Sequence, residues 1–192
     1  TELGHSLTLI ALFLILIAFF EEYRTGLAGL CSILAVGLCV FCFKNVIGLA
    51  GPETLRPSFP SGHTAAAFVA AFVLAGRYRK CKYLFFILAV AVGVSRVLLK
   101  KHYPSDVCAG AALGLAVGVA VDWLVGRFEI SFNHKALHMA AFALLPALFI
   151  YAALGSDVPQ YHMKLTFPAI LFLLIRKWAS DRQAGSGGAA GK

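Results

Sequence analysis

Charge is scarce in this chain. Charged residues make up 14% of 192, and only nine of them are Asp or Glu. A soluble domain carries roughly a quarter charged residues, so an ordinary water-facing surface is excluded. Also missing is any hydrophilic block long enough to fold as a second domain, which leaves a single transmembrane domain over residues 1–182. The few carboxylates do not cluster, so nothing suggests Mg²⁺ ligation; neither a metal nor another cofactor is expected. His134 and His138 sit four apart like a helical zinc pair but lack an acidic ligand nearby, and the packing reading is preferred. Five cysteines lie in or beside apolar runs, and the C-x-x-C of Cys39 and Cys42 falls inside one, where two small packing residues are a better reading than a redox or zinc site.

What is present in abundance is apolar sequence, at 60% of the chain. Seven segments of 13 to 19 residues stand out: Leu7 to Phe20, Leu27 to Phe43, Thr64 to Gly76, Tyr83 to Leu99, Val107 to Val125, Ala136 to Leu154 and Met163 to Ile175. A bilayer-spanning helix needs about 20 residues, and flanking turns can lengthen the short ones. The expected fold is therefore an all-α integral membrane protein, one bundle of about six to seven transmembrane helices. The first segment reads as an anchor, and the G-S-G-G-A-A-G-K end of residues 183–192 as a flexible tail.

Net charge of +8 does not point to nucleic acid, because its distribution follows the predicted loops. If all seven segments span, eleven of the 17 Lys and Arg fall on the face that holds Arg24, Arg77, Arg79 and Arg127, and six on the face that holds Lys44, Arg56, Arg96 and Lys100. The positive-inside rule makes the first face cytoplasmic and the second extracytoplasmic, which suits a bacterial or archaeal plasma membrane. Small residues recur at four-residue spacing, at Gly110, Gly114 and Gly118, at Ala67, Ala71 and Ala75, and at Ala89 and Gly93. That pattern predicts close packing among the third, fourth and fifth segments.

Two polar clusters fall on the extracytoplasmic face. In R-P-S-F-P-S-G-H, Ser61 is placed to cap the helix that follows, and Gly62 removes the side chain that would block a ligand from the first backbone amides, an anion cradle. Arg56 is held extended by Pro57 and can offer a bidentate guanidinium, and His63 adds a titratable group. In S-R-V-L-L-K-K-H-Y-P-S-D, Pro104 suits the first position of a helix, with Asp106 in its first turn and His102 just before it. Asp106 can then orient one ring nitrogen of His102 and leave the other to attack. Arg96 lies near the end of the fourth segment, where a charge faces the interface or the bundle interior.

As an ordered set these clusters resemble the type 2 phosphatidic acid phosphatase superfamily, whose pattern is K-x6-R-P, P-S-G-H and S-R-x5-H-x3-D. Pro60 to His63 match the second piece, and Ser95, Arg96, His102 and Asp106 the third with spacings intact, over about residues 44–125. Arg56 and Pro57 match the end of the first, but Leu49 stands where its Lys belongs; Lys44, Lys100 or Lys101 is left to fill that role, or none. The helices expected at 136–154 and 163–178 lie outside the resemblance. It implies a membrane lipid phosphatase without cofactors. His102 would be the nucleophile that becomes phosphohistidine, Asp106 its orienter, and His63 the acid and base. Arg56, Ser61, Gly62 and Arg96 would bind phosphate. Its substrate would be a lipid phosphate or diphosphate, such as undecaprenyl diphosphate, phosphatidylglycerol phosphate or phosphatidic acid. The rivals are a lipid phosphotransferase and a non-catalytic lipid-binding or transport protein. Substrate and oligomeric state are not specified by the motifs.

Overall fold

The structure, a computed structural model, describes residues 6–20, 22–52, 57–127, 136–141, 143–145 and 147. Five α-helices carry the fold: α1 (Ser6–Phe20), α2 (Tyr23–Ile47), α3 (Gly62–Arg77), α4 (Lys82–Leu98) and α5 (Pro104–Arg127), with a 3-10 turn at Arg79–Cys81. The described residues contain no strand; their one extended feature is an isolated bridge between Ala50 and Pro57. Among the described residues, three helices are long and apolar enough to cross a membrane: Tyr23–Ile47, Arg79–Leu98 and Pro104–Arg127. α3, at 16 residues, is short as the third expected segment is, and α1 spans 15. The sixth segment is described only in part, and the seventh, His134 and the tail lie outside the described residues.

The second helix overruns its apolar segment by four residues at each end, so Lys44 belongs to its last turn. Lys and Asn are tolerated inside a helix, and the stop comes at Gly48, whose φ of 65° puts it in the left-handed region and whose N–H donates to the Lys44 carbonyl. α4 ends by the same device with a different residue. Lys100 has φ 52°, its N–H donates to Val97 O at 2.9 Å, and Lys101 N–H donates to Arg96 O at 3.1 Å. This is a Schellman cap with Lys in the position glycine usually takes.

α3 is the central helix. Its alanine face is almost wholly buried (Ala65, Ala66, Val69, Ala70), and it packs on α2, α4 and α5. Glycines of α5 let that helix come close: a Cβ at Gly110 would stand 2.5 Å from Ser61 O, one at Gly114 2.4 Å from Ala65 O, and one at Gly118 2.9 Å from Phe72 Cδ1. Gly93 of α4 makes way for Val107 in the same manner, at 2.8 Å. The predicted closeness of the third, fourth and fifth segments is thus observed, with α3 between the other two. Large apolar side chains such as Leu34, Leu38, Ile87, Val90 and Val119 point outward from the bundle, as on a lipid-facing surface.

α2 and α4 end, and α3 and α5 begin, at one end of the bundle. At the other end the Arg77 guanidinium pairs with Glu22 through Nε at 2.7 Å and through Nη2, tying the α1–α2 junction to the end of α3.

Candidate active site

Both polar clusters meet at the end where α3 and α5 begin. Ser61 N–H donates to the Asp106 carbonyl at 3.0 Å, so the main chain joins the start of one helix to the first turn of the other. Pro104 opens α5 as its sequence position predicts, Asp106 lies in the first turn, and His102 stands two residues before the helix. His102 is 8% exposed and Asp106 3%. His102 Nδ1 faces Asp106 Oδ2 at 3.5 Å, longer than a normal hydrogen bond by about half an ångström. Loose catalytic contacts of this kind tighten once substrate is bound. With Nδ1 turned to the carboxylate, Nε2 is the ring nitrogen directed away from Asp106.

The same carboxylate oxygen is fixed from two other directions. Ser58 Oγ donates to Asp106 Oδ2 at 2.9 Å and Tyr103 N–H donates to it at 3.0 Å. Ser58 is 5% exposed and is in turn placed by the loop, since its N–H donates to Leu49 O at 2.8 Å beside the Ala50–Pro57 bridge. Sequence reading passed over Ser58. Its signal was its place inside R-P-S-F-P-S-G-H, but a serine in a polar loop is usually just a loop residue.

His102 is held below its ordinary pKa of about 6.5, first by burial and then by the nearby Arg96 charge, with Lys44 adding to this and Asp106 opposing. A neutral imidazole at neutral pH is what a nucleophile requires. Arg96 is half-buried in the last turn of α4, and the neighbouring Ser95 turns its hydroxyl back to Val92 O at 2.6 Å. Lys44 interacts electrostatically with both Asp106 and His102. Leu49, the position matching the family Lys, has its side chain exposed while its carbonyl closes the loop on Ser58. Lys100 and Lys101 stand on an exposed turn, and a Cβ at Gly51 would stand 3.3 Å from the Lys101 carbonyl oxygen.

The cradle departs in one detail from what the sequence predicts. Ser61 occupies the N-cap position of α3 but makes no capping bond with its side chain; its hydroxyl, fully buried, accepts from Thr64 Oγ1 at 3.0 Å. Its amide is committed to Asp106, so the donors offered to an anion begin with the amides of Gly62 and His63. Among the described residues, a Cβ at Gly62 would meet Val40 Cγ1, at 3.4 Å, an ordinary van der Waals distance. His63 is half-buried beside it, and Arg56 lies outside the described residues.

A family model described as the PAP2 superfamily matches residues 41–129, from the last turns of α2 to just past the end of α5. Phosphatidylglycerophosphatase B of Bacillus subtilis (strain 168) is 32% identical over 67% of this chain and 75% of its own length. The bacitracin transport permease protein BcrC of Bacillus licheniformis is 40% identical over 43% of this chain and 39% of its own. Lipid A 1-phosphatase of Rhizobium etli is 48% identical over 41% of this chain and 40% of its own. The chain thus spans about two fifths of the length of the latter two. No solved structure matches. With both later motifs assembled at one end of the helical core, and a relative aligned over three quarters of its length, this chain belongs to the PAP2 superfamily, the type 2 phosphatidic acid phosphatases.

Proposed function

We propose that the protein is a membrane lipid phosphatase that removes phosphate from a lipid phosphate or diphosphate through a phosphohistidine. The observation that carries the reading is His102: buried, held neutral, and turned by Nδ1 toward a carboxylate that two further donors fix in place. Similar proteins carry the names phosphatidylglycerophosphatase B, lipid A 1-phosphatase and undecaprenyl-diphosphatase BcrC, which share an anionic head on a long apolar tail.

In this mechanism His102 Nε2 attacks phosphorus in line with the departing oxygen. His63 gives that oxygen a proton, then takes one from the water that cleaves the phosphorus–nitrogen bond, releasing inorganic phosphate and restoring His102. Arg56, Arg96, Lys44 and the Gly62 amide carry the charge that develops on the remaining oxygens. Lys44 takes the part of the family Lys from five residues earlier in the chain, a reading that its electrostatic coupling to Asp106 and His102 supports. The bundle has about six to seven spanning helices in a bacterial-type plasma membrane, with the site on the extracytoplasmic face, a placement that rests on the distribution of Lys and Arg.

The test is phosphate release by purified protein from a panel of polyprenyl diphosphate, phosphatidylglycerol phosphate, phosphatidic acid and lipid A phosphates, without added acceptor. At least one should be hydrolysed, and His102→Ala should abolish release at unchanged thermal stability. Turnover by the His102 variant at the normal rate would sink the mechanism.

A further inference from the structure

Beside the catalytic residues lies a cavity of about 380 Å³ whose lining is entirely apolar. Its walls come from the chain segments that build the site. Phe43 precedes Lys44 on α2, and Phe59 with Pro60 fills the interval between Ser58 and Ser61. The remaining wall is a stripe of α5, Ala109, Ala112, Leu113 and Ala116, which starts one turn past Asp106. Three segments therefore each give a polar group to the site and the adjoining apolar group to the cavity.

The direction of the cavity follows from that of α5. This helix begins at the site and runs to Arg127 at the opposite end, so from Ala109 to Ala116 the stripe descends about 10 Å away from the phosphate-binding end. Alanines make the recess: Ala112 and Ala116 are exposed and leave a trough where larger residues would fill it. The opposite face of α5 is taken by Gly110, Gly114 and Gly118 against α3, so the trough and the packing seam do not compete.

We infer that this groove between α2 and α5 is the subsite for the first part of the substrate's acyl or prenyl chain, and that Ala109, Ala112 and Ala116 set the chain thickness it accepts. The inference rests on the lipid phosphatase reading and adds the tail to it. A head group at His102 has its chain leaving toward the hydrocarbon core, and an all-apolar trough contiguous with the site gives that chain a route along α5. None of the residues that line the trough is assigned to phosphate chemistry, so the stripe acts on chain binding and positioning.

The Ala112→Leu, Ala116→Leu double variant fills the trough from lipid-exposed positions and leaves the α3–α5 seam untouched. Kinetics on long-chain phosphatidic acid in mixed micelles should show KM raised about tenfold, the effect of losing burial of one or two methylenes, at nearly constant kcat. Hydrolysis of p-nitrophenyl phosphate, which has no chain, should stay within twofold. Equal loss on both substrates, or loss on neither, overturns the groove. A second measurement does not depend on turnover: phosphatidic acid with a diazirine in the upper half of one chain should label residues 109–116 of the wild type, and labelling should drop in the double variant. Labelling elsewhere overturns the groove even if the protein is a working phosphatase. Labelling of the trough in a protein that releases no phosphate from any substrate upholds the groove and overturns the phosphatase reading.

Discussion

Gly110→Ala is the sharpest single perturbation of this architecture. The added methyl would lie 2.5 Å from Ser61 O, a backbone atom that cannot swing aside, and contacts under 3.0 Å are not sustained, so α3 and α5 must part by at least about 0.5 Å. The displaced atoms are the start of the P-S-G-H helix and the partner of Asp106, because the Ser61 amide bonds across the same contact. Overpacking of this kind costs about 1–3 kcal/mol. For a chain of this length each kcal/mol lowers Tm by roughly 2–4 °C. A misplacement approaching 1 Å at reacting groups costs up to about a hundredfold in rate. The expected result is a Tm fall of about 2–12 °C in detergent and a ten- to hundredfold loss of kcat/KM. Gly62→Ala is the control, since among the described residues its methyl meets Val40 Cγ1 at 3.4 Å, an ordinary contact distance. It should melt like the wild type yet lose activity by narrowing the cradle. A Gly110 variant with wild-type Tm and rate would refute the close approach of α5 to Ser61.

Three further outcomes are expected. Ser58→Ala removes a buried donor to Asp106 Oδ2, worth about 1–3 kcal/mol, and should lower kcat more than it raises KM in steady-state assays. Lys44→Met should cost kcat/KM about tenfold or more, whereas the Lys100→Ala, Lys101→Ala double variant should stay within threefold on monophosphate and diphosphate lipids alike; the reverse order would move the missing family Lys to the exposed turn. Because the folded His102 pKa is depressed, protonation opposes both activity and stability: the acid limb of kcat/KM should lie below about pH 6.5, and stability should fall as pH drops from there toward the folded value. Lys44→Met removes one of the charges that depress it, so its acid limb should shift to higher pH.

Local signals carried much of this site. Pro104 at the first helical position, Asp106 in the first turn and the four-residue glycine spacing each state their structure in the residues themselves, and each is observed. The misses concern groups whose role depends on distance through space. Ser58 reaches Asp106 across 48 positions, which nothing in a one-dimensional reading can measure. The extent of α2 was misjudged in the same way, since the apolar run stops at Phe43 while the helix runs on through Lys44 until Gly48 ends it; the left-handed glycine was the readable signal for that. At the end of α4 the same signal is absent, since the left-handed position holds Lys100.

The bond from the Ser61 amide to the Asp106 carbonyl has a consequence for exchange with solvent. This amide lies ahead of α3, where helix N-termini normally leave their N–H groups to water and take up deuterium within the shortest labelling times. Here it is enclosed, and it can exchange only when the two helix starts separate. Its protection factor therefore reports how often the start of α3 and the first turn of α5 come apart. An amide beside a ligand site would then exchange as slowly as one in the middle of α3, and only its neighbours at Gly62 and His63 would respond to an anion. Deuterium uptake at Ser61 is a clock for the intact site that runs without substrate.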